Sequence, residues 1–166
     1  MTLYAATKRA AELLSATYAH QFGIPQTGLR LFTVYGPWGR PDMAYFAFTR
    51  RMWASQPIPV FGDGRSRRDY TYVDDVVESL LAVLERPPAD GEHRLLNVGC
   101  GQPVSLHQMI DTLAATIGRP AQTVILPAQP GDVTATYADT SALAALTGQR
   151  PRTPLADGLR HFVAWY

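Results

Sequence analysis

Two residues near the start of the chain, Tyr4 and Lys8, have types and spacing that could carry chemistry. Four apart in a helical pattern, they share one helix face about one turn apart. A phenol titrates near ~10, so it acts as a base at neutral pH only where something favours its phenolate. An ammonium one turn away does so, because an opposite charge at short range lowers the acid's pKa. A tyrosine tuned in this way can pass a proton to or from a substrate hydroxyl during hydride transfer. The pair alone equally describes an exposed phenol beside a solvated amine, so the elements around it have to decide.

Those elements fit one ordinary domain, or a large part of a bigger one, in 166 residues. Hydrophobic residues make up 46% and charged ones 17%, which suits a packed core and argues against a disordered or acidic arm. A net charge of +1 argues against bulk nucleic-acid binding. No apolar run approaches membrane-spanning length, so no membrane partner is expected. The single cysteine, Cys100, has no intramolecular disulfide partner. With no signal-peptide pattern at the start of the sequence, this fits a reducing cytoplasm. The four histidines, His20, His93, His107 and His161, lack metal-ligand spacing, and no metal is expected.

Residues 3–22 read as a helix with Thr2 as N-cap and Gly23 as stop, its apolar positions along one broad face. A buried strand is expected over Thr27–Phe32, followed by a braced loop, Tyr35-Gly36-Pro37-Trp38-Gly39-Arg40-Pro41. A helix over 43–55 comes next. Ile58–Phe61 and Arg68–Tyr72 then read as two short strands about the turn Gly62-Asp63-Gly64. Val73–Arg86 reads as a helix with Asp74 and Asp75 in its first turn, where the helix dipole favours acids. A strand at Leu95–Val98, a helix at Ser105–Ile117 capped by Ser105 and stopped by Gly118, and a strand at Thr123–Leu126 follow. Pro127–Thr136 reads as a loop, and two helices near 140–147 and 154–165 finish the chain. Strands alternating with helices give an α/β class, or α+β for the later half.

The order of the motifs is more specific than any one of them. Tyr4-x-x-x-Lys8 is followed by Leu29-Arg30-Leu31-Phe32-Thr33-Val34-Tyr35-Gly36-Pro37, Pro59-Val60-Phe61-Gly62 and Arg68-Asp69-Tyr70-x-Tyr72-Val73-Asp74-Asp75, then by Asn97-Val98-Gly99 and Pro130-Gly131-Asp132. In this order the chain resembles the C-terminal half of an extended short-chain dehydrogenase/reductase, the NAD-dependent sugar epimerase/dehydratase family. Within it, Thr33 through Ala44 is similar to the UDP-glucuronate 4-epimerases, whereas related 4-epimerases and dehydratases more often carry asparagine where Thr33 stands. The resemblance implies a Rossmann-type NAD-binding fold joined to a smaller α/β substrate domain. Residues 1–42 would be a remnant of the first and 43–166 mainly the second, with 73–99 returning to the Rossmann sheet. Family members carry a Gly-rich turn that sets a helix N-terminus under the cofactor's pyrophosphate. No such turn occurs in these 166 residues: Gly62-x-Gly64 lies between strands, and Gly99-x-Gly101 lacks the third glycine.

The resemblance assigns roles by position. Tyr4 would be the catalytic base, and Lys8 would lower its pKa and hold the nicotinamide ribose, so both bind the cofactor NAD. Thr33 would lie near the sugar's C5 substituent, where a hydroxyl can donate to a carboxylate; a β-branched residue ending a strand is the other reading. A guanidinium such as Arg40 suits a carboxylate or phosphate, or else it is a solvated loop cation. Arg68 matches the arginine that clamps the substrate diphosphate, and Val60 and Phe61 match the strand along which uracil lies. A core phenylalanine remains open for Phe61, and Asp69 beside the clamp reads as structural. Asp132 would hold ribose hydroxyls. Many relatives carry arginine where Gln129 stands, so one phosphate-binding cation would be lacking here.

These residues imply a UDP-sugar partner and the NAD-dependent conversion of UDP-glucuronate to UDP-galacturonate. Other 4-epimerases, 4,6-dehydratases and decarboxylases of the family are alternatives, as is a non-catalytic UDP-sugar-binding or interaction fragment. Without the Gly-rich half, inactivity and no retained NAD are expected. An open strand edge and an apolar helix face would favour self-association, as a homodimer through the Tyr4/Lys8 helix.

Overall fold

The computed structural model describes residues 2–128 and 133–166. Its first element, α1, spans Leu3–Phe22 and starts where Thr2 Oγ1 accepts from the Ala5 N–H. It ends at Gly23, whose φ of 68° is the left-handed geometry that closes a helix at little cost for glycine. β1 (Gln26–Leu31) pairs in parallel with β6 (His93–Val98), from Gln26 opposite His93 to Leu31 opposite Val98.

At Phe32 the strand changes partners. The Phe32 N–H still donates to Val98 O (3.2 Å), but the Thr33 N–H donates to Asp69 O (3.1 Å). From there β2 (Thr33–Tyr35) runs parallel to β5 (Tyr70–Tyr72). One continuous stretch of backbone therefore belongs to two ladders, and Thr33 sits at the change. The short β2 strand carries extended backbone past Phe32, where the expected strand ended, to Tyr35, the first residue of the expected loop.

α2 (Ala44–Trp53) leads into β3 (Ile58–Phe61), and β4 (Arg67–Arg68) precedes β5. The expected pairing of these strands about Gly62-Asp63-Gly64 does not occur. β3 pairs in parallel with β8 (Thr123–Leu126), whereas β4 runs antiparallel to β7 (Val104–Ser105). The 62–64 turn thus hands the chain from one ladder to another instead of closing a hairpin. α3 (Val73–Leu84) follows β5 directly. α4 (Leu106–Ile117) starts in a full capping box, with Ser105 Oγ accepting from the Gln108 N–H and the Gln108 side chain accepting from the Ser105 N–H. α5 (Ser141–Thr147) and α6 (Leu155–Trp165) complete the chain.

Two apolar clusters follow this division. The larger gathers Tyr35, Tyr45, Ile58, Val60, Leu113 and Phe162, joining α2, α4 and α6 to the short ladders. The smaller holds Val76, Val83, Leu96, Val98 and Leu143 between α3, α5 and β6. α1 packs on β1 and β6. It buries only Ala19, while Leu3, Leu13, Leu14, Tyr18 and Phe22 stay exposed. Among the described residues β1 has a ladder partner on one edge alone, and no helix is long and apolar enough to cross a membrane.

Two carboxylates join segments distant in sequence. Asp69, fully buried, accepts from the N–H groups of Cys100, Gly101 and Ala138, each at 2.9 Å. Asp75 accepts from the N–H groups of Arg152 (3.0 Å) and Thr153 (2.8 Å) and from the Thr153 hydroxyl (2.9 Å). Fixed backbone donors of this kind replace the hydrogen bonds a carboxylate gives up on leaving water.

Candidate functional site

The loop after β2 and the start of α1 enclose a cavity of ≈ 880 Å³ lined by Tyr4, Thr33, Trp38, Arg40, Met43 and Thr136, among others. Tyr4 is 71% exposed, and Lys8 Nζ lies 5.5 Å from the centroid of its ring. Lys8 itself faces an adjoining cavity of ≈ 790 Å³ along the α1–β1 seam, which Tyr4, Arg30 and Phe32 also line.

One ion-pair cluster fixes α1 against the strand carrying Thr33. Glu12, two turns beyond Tyr4, accepts from Arg30 on β1 through both oxygens, at 2.6 and 2.8 Å, and from Arg9 at 2.7 Å. The Arg30 bonds first, and then Arg9, pull the Glu12 carboxyl down to about 2. This bidentate geometry holds the helix face of Tyr4 and Lys8 in register with the strand three residues before Thr33.

Arg40 is engaged by Asp42, with Nε to Oδ1 at 3.1 Å and Nη2 to Oδ2 at 2.5 Å. Its guanidinium keeps the Asp42 carboxyl below the usual range. Both side chains are largely in solvent, so a competing carboxylate meets little resistance in displacing Asp42. Asp42 lines a second cavity of ≈ 400 Å³ with Arg50, Phe61, Ser66, Arg68 and Tyr70, among others, so its pairing with Arg40 links the linings of the two. Here Arg68 donates to the carbonyls of Val133 (2.7 Å) and Arg67 (3.0 Å). Burial pushes the Tyr70 phenol up to about 12, so it stays protonated.

The structure therefore brings Tyr4, Thr33 and Arg40 to one cavity, and Phe61 and Arg68 to its neighbour. The Val60 side chain is fully buried in the larger core, which leaves only its backbone available to a ligand. Asp132 and Gln129 lie outside the described residues. Asp69 is structural, as its three backbone donors require. Among the described residues no group of three or more His, Cys, Asp or Glu could hold a metal.

Sequence reading did not single out Trp38, Met43 or Thr136 at the first cavity, nor Asp42, Arg50 or Tyr70 at the second. Trp38 had a readable signal, a bulky residue set between Pro37 and Gly39. Thr136 had none, since the parallel bridge of Ala135 to Arg67 that brings it there spans distant segments.

Parallel ladders with a Tyr-x-x-x-Lys helix packed on one of them are an α/β arrangement of the short-chain dehydrogenase/reductase type. Residues 1–99 match the model of the NAD dependent epimerase/dehydratase family, and the chain belongs to that family. Along its whole length it is 43% identical to a probable UDP-glucuronate 4-epimerase of Rhizobium meliloti, covering 53% of that protein. It is 42% identical to the UDP-glucuronate 4-epimerase of Thermodesulfobacterium geofontis, with 98% of this chain and 49% of that protein covered. Among solved structures, UDP-glucuronic acid 4-epimerase from Bacillus cereus, in complex with UDP-glucuronic acid and NAD, superposes with a TM-score of 0.91 at 35% identity. The match covers 98% of this chain and 51% of that one. A Thermotoga maritima UDP-glucose 4-epimerase with UDP-glucose gives 0.90 at 30% identity, over 98% and 52%. The chain thus spans about half the length of the relatives it matches.

Proposed function

We propose that this chain forms the sugar-nucleotide side of an NAD-dependent 4-epimerase acting on UDP-glucuronate. The supporting observation is the placement of Tyr4, Thr33 and Arg40 around one cavity, next to a second containing Phe61 and Arg68. In this reading Arg68 binds the diphosphate, Phe61 and the Val60 backbone flank the uracil, and Asp132 meets ribose hydroxyls. The sugar reaches into the larger cavity. There the Tyr4 hydroxyl exchanges a proton with the sugar 4-hydroxyl, once before and once after the sugar turns, with Lys8 one helix turn away. The Thr33 hydroxyl donates to the sugar carboxylate, and Arg40 exchanges Asp42 for it. Fixing that carboxylate keeps a 4-keto acid out of the geometry in which it loses CO2.

Tyr4 and Lys8 fit the nicotinamide-ribose side of a cofactor site, since they line the seam between α1 and the open edge of β1. NAD, when bound, supplies a hydride acceptor and donor at the sugar C4. The glycine-rich cradle for its pyrophosphate is not in this sequence. The chain by itself therefore binds nucleotide sugar, holds no NAD and turns nothing over. Residues 1–42 and 73–99 belong to the cofactor lobe, and the remainder to the sugar-nucleotide lobe.

Calorimetric titration with UDP, UDP-glucuronate and UDP-glucose tests this reading. All three bind, and UDP-glucuronate binds tightest because only it presents a carboxylate to Thr33 and Arg40. A preference for UDP-glucose would make the chain part of a neutral-sugar epimerase, and no binding of UDP would refute the reading altogether.

A further inference from the structure

Trp38 stands in a backbone conformation that a bulky residue rarely adopts. Its φ is 60°, in the left-handed region where a side chain crowds its own carbonyl. Its indole nevertheless gains little by burial, being 85% exposed. Among the described residues its one ring contact is with Trp165 of α6, at 5.2 Å between centroids and 55° between planes. A glycine at this position would relieve the backbone and forfeit almost no packing, so local stability does not explain the tryptophan.

The surrounding loop enforces the conformation. The buried Tyr45 hydroxyl donates to Gly36 O at 3.3 Å, beneath the loop. Gly39 lies so tightly on the same ring that a Cβ there would fall 1.6 Å from the Tyr45 oxygen. The Met43 N–H donates to Arg40 O at 3.1 Å and closes the far side. Both flanks of Trp38, Gly36 and Gly39, are thereby held against the buried Tyr45 side chain. Strained residues held this firmly are found where a ligand needs the side chain in place. Trp38 lines the same cavity as Tyr4, Thr33 and Arg40.

We propose that the Trp38 indole is a platform for the pyranose ring of the nucleotide sugar, a positioning contact that favours the sugar over nucleotide alone. One ring face is broad, apolar and negatively polarised, which complements the weakly positive C–H groups on a pyranose face. Stacking of this kind ignores the orientation of the 4-hydroxyl, so it holds both C4 epimers and lets the intermediate turn. Thr33 and Arg40 then select the carboxylate, while Trp38 supplies affinity for the ring itself. The proposal rests on the sugar occupying the larger cavity, as in the function proposed above.

The test uses the chain with Trp38→Gly and Trp38→Phe, read by denaturant unfolding and by titration with UDP and UDP-glucuronate. Trp38→Gly is expected to unfold at the same or a higher denaturant concentration, because strain is released. Its affinity for UDP stays within about twofold, while the advantage of UDP-glucuronate over UDP shrinks by about five- to tenfold, a loss of one aromatic contact. Trp38→Phe retains part of that advantage. A clear loss of stability in Trp38→Gly would overturn the proposal, since Trp38 would then be a packing residue. An unchanged advantage for the sugar would overturn it equally. Failure of the unsubstituted chain to bind UDP would instead count against the proposed function, and the unfolding measurement would still decide whether Trp38 is held in strain.

Discussion

Replacing Asp69 by asparagine tests how the site is held together. The carboxylate is fully buried and meets three backbone N–H groups at 2.9 Å, those of Cys100, Gly101 and Ala138. Oδ2 accepts two of these bonds and Oδ1 the third. The best placement of an asparagine puts its oxygen at Oδ2, which turns its NH2 group onto the Cys100 N–H, donor against donor. One charge-assisted bond worth about 1.5–3 kcal/mol is lost, and the two that remain become neutral and weaken. Removing the buried charge recovers some desolvation energy, but the unpaired N–H stays buried, and breaking one side of such an arrangement is the expensive case. The net expectation is a loss of about 2–4 kcal/mol, a large share of a stability of about 5–15 kcal/mol. Urea unfolding of both proteins, followed by fluorescence, gives the difference from the midpoint shift at constant slope. The same change should loosen Arg68, the preceding residue, so UDP affinity should fall with stability. A variant within 0.5 kcal/mol of the parent would refute the view that Asp69 clasps these three segments.

Gly158→Ala in α6 should destabilise by about 1–2 kcal/mol, although alanine is the better helix former. The new Cβ would lie 2.3 Å from the hydroxyl of buried Tyr35, and overpacking outweighs the propensity gain; Tyr35→Phe in the same chain should restore part of the loss, and a more stable single variant would contradict this. Glu12 has its folded pKa depressed to about 2 from an ordinary 4.5, so its contribution is complete above the ordinary value and disappears as pH falls towards 2. The difference in unfolding midpoint between the parent and Glu12→Gln should be flat above about pH 5 and shrink below it; a difference independent of pH would sink the ion-pair account. Burial, aided by the charges of Asp69 and Asp75, pushes the Cys100 thiol up. Alkylation by iodoacetamide at neutral pH should therefore be slow and should accelerate on unfolding, whereas a rate equal to that of the unfolded chain would show the thiol to be open.

Much of the helical framework was legible because capping chemistry is local. Thr2, Gly23, Ser105 and Gly118 mark the ends of α1 and α4 within one residue. The ladders were less legible, because a strand's partner is a matter of distant chain. β3 reads correctly as a strand, yet its partner begins at Thr123, so the adjacent Gly62-Asp63-Gly64 turn falsely suggested a hairpin. The change of partner at Phe32 leaves no mark in hydrophobic periodicity, since both sides of it are β-compatible. At the site, Tyr4 and Lys8 drew notice through type and spacing, which alone equally describe an exposed phenol beside a solvated amine. Trp38 was legible as part of a braced loop between Pro37 and Gly39, but its left-handed conformation depends on how Gly36 and Gly39 pack on Tyr45. Asp42 was hidden for a related reason: its pairing with Arg40, and its place at the second cavity, depend on how the loop folds.

The most direct measurement is a crystal structure of this chain soaked with UDP-glucuronate. The account predicts uracil against Phe61, the diphosphate on Arg68, and the sugar carboxylate within hydrogen-bonding distance of Thr33 Oγ1 with Arg40 released from Asp42. The sugar 4-hydroxyl should point towards Tyr4. Nucleotide bound elsewhere, or a sugar turned out to solvent with Arg40 still on Asp42, would contradict it.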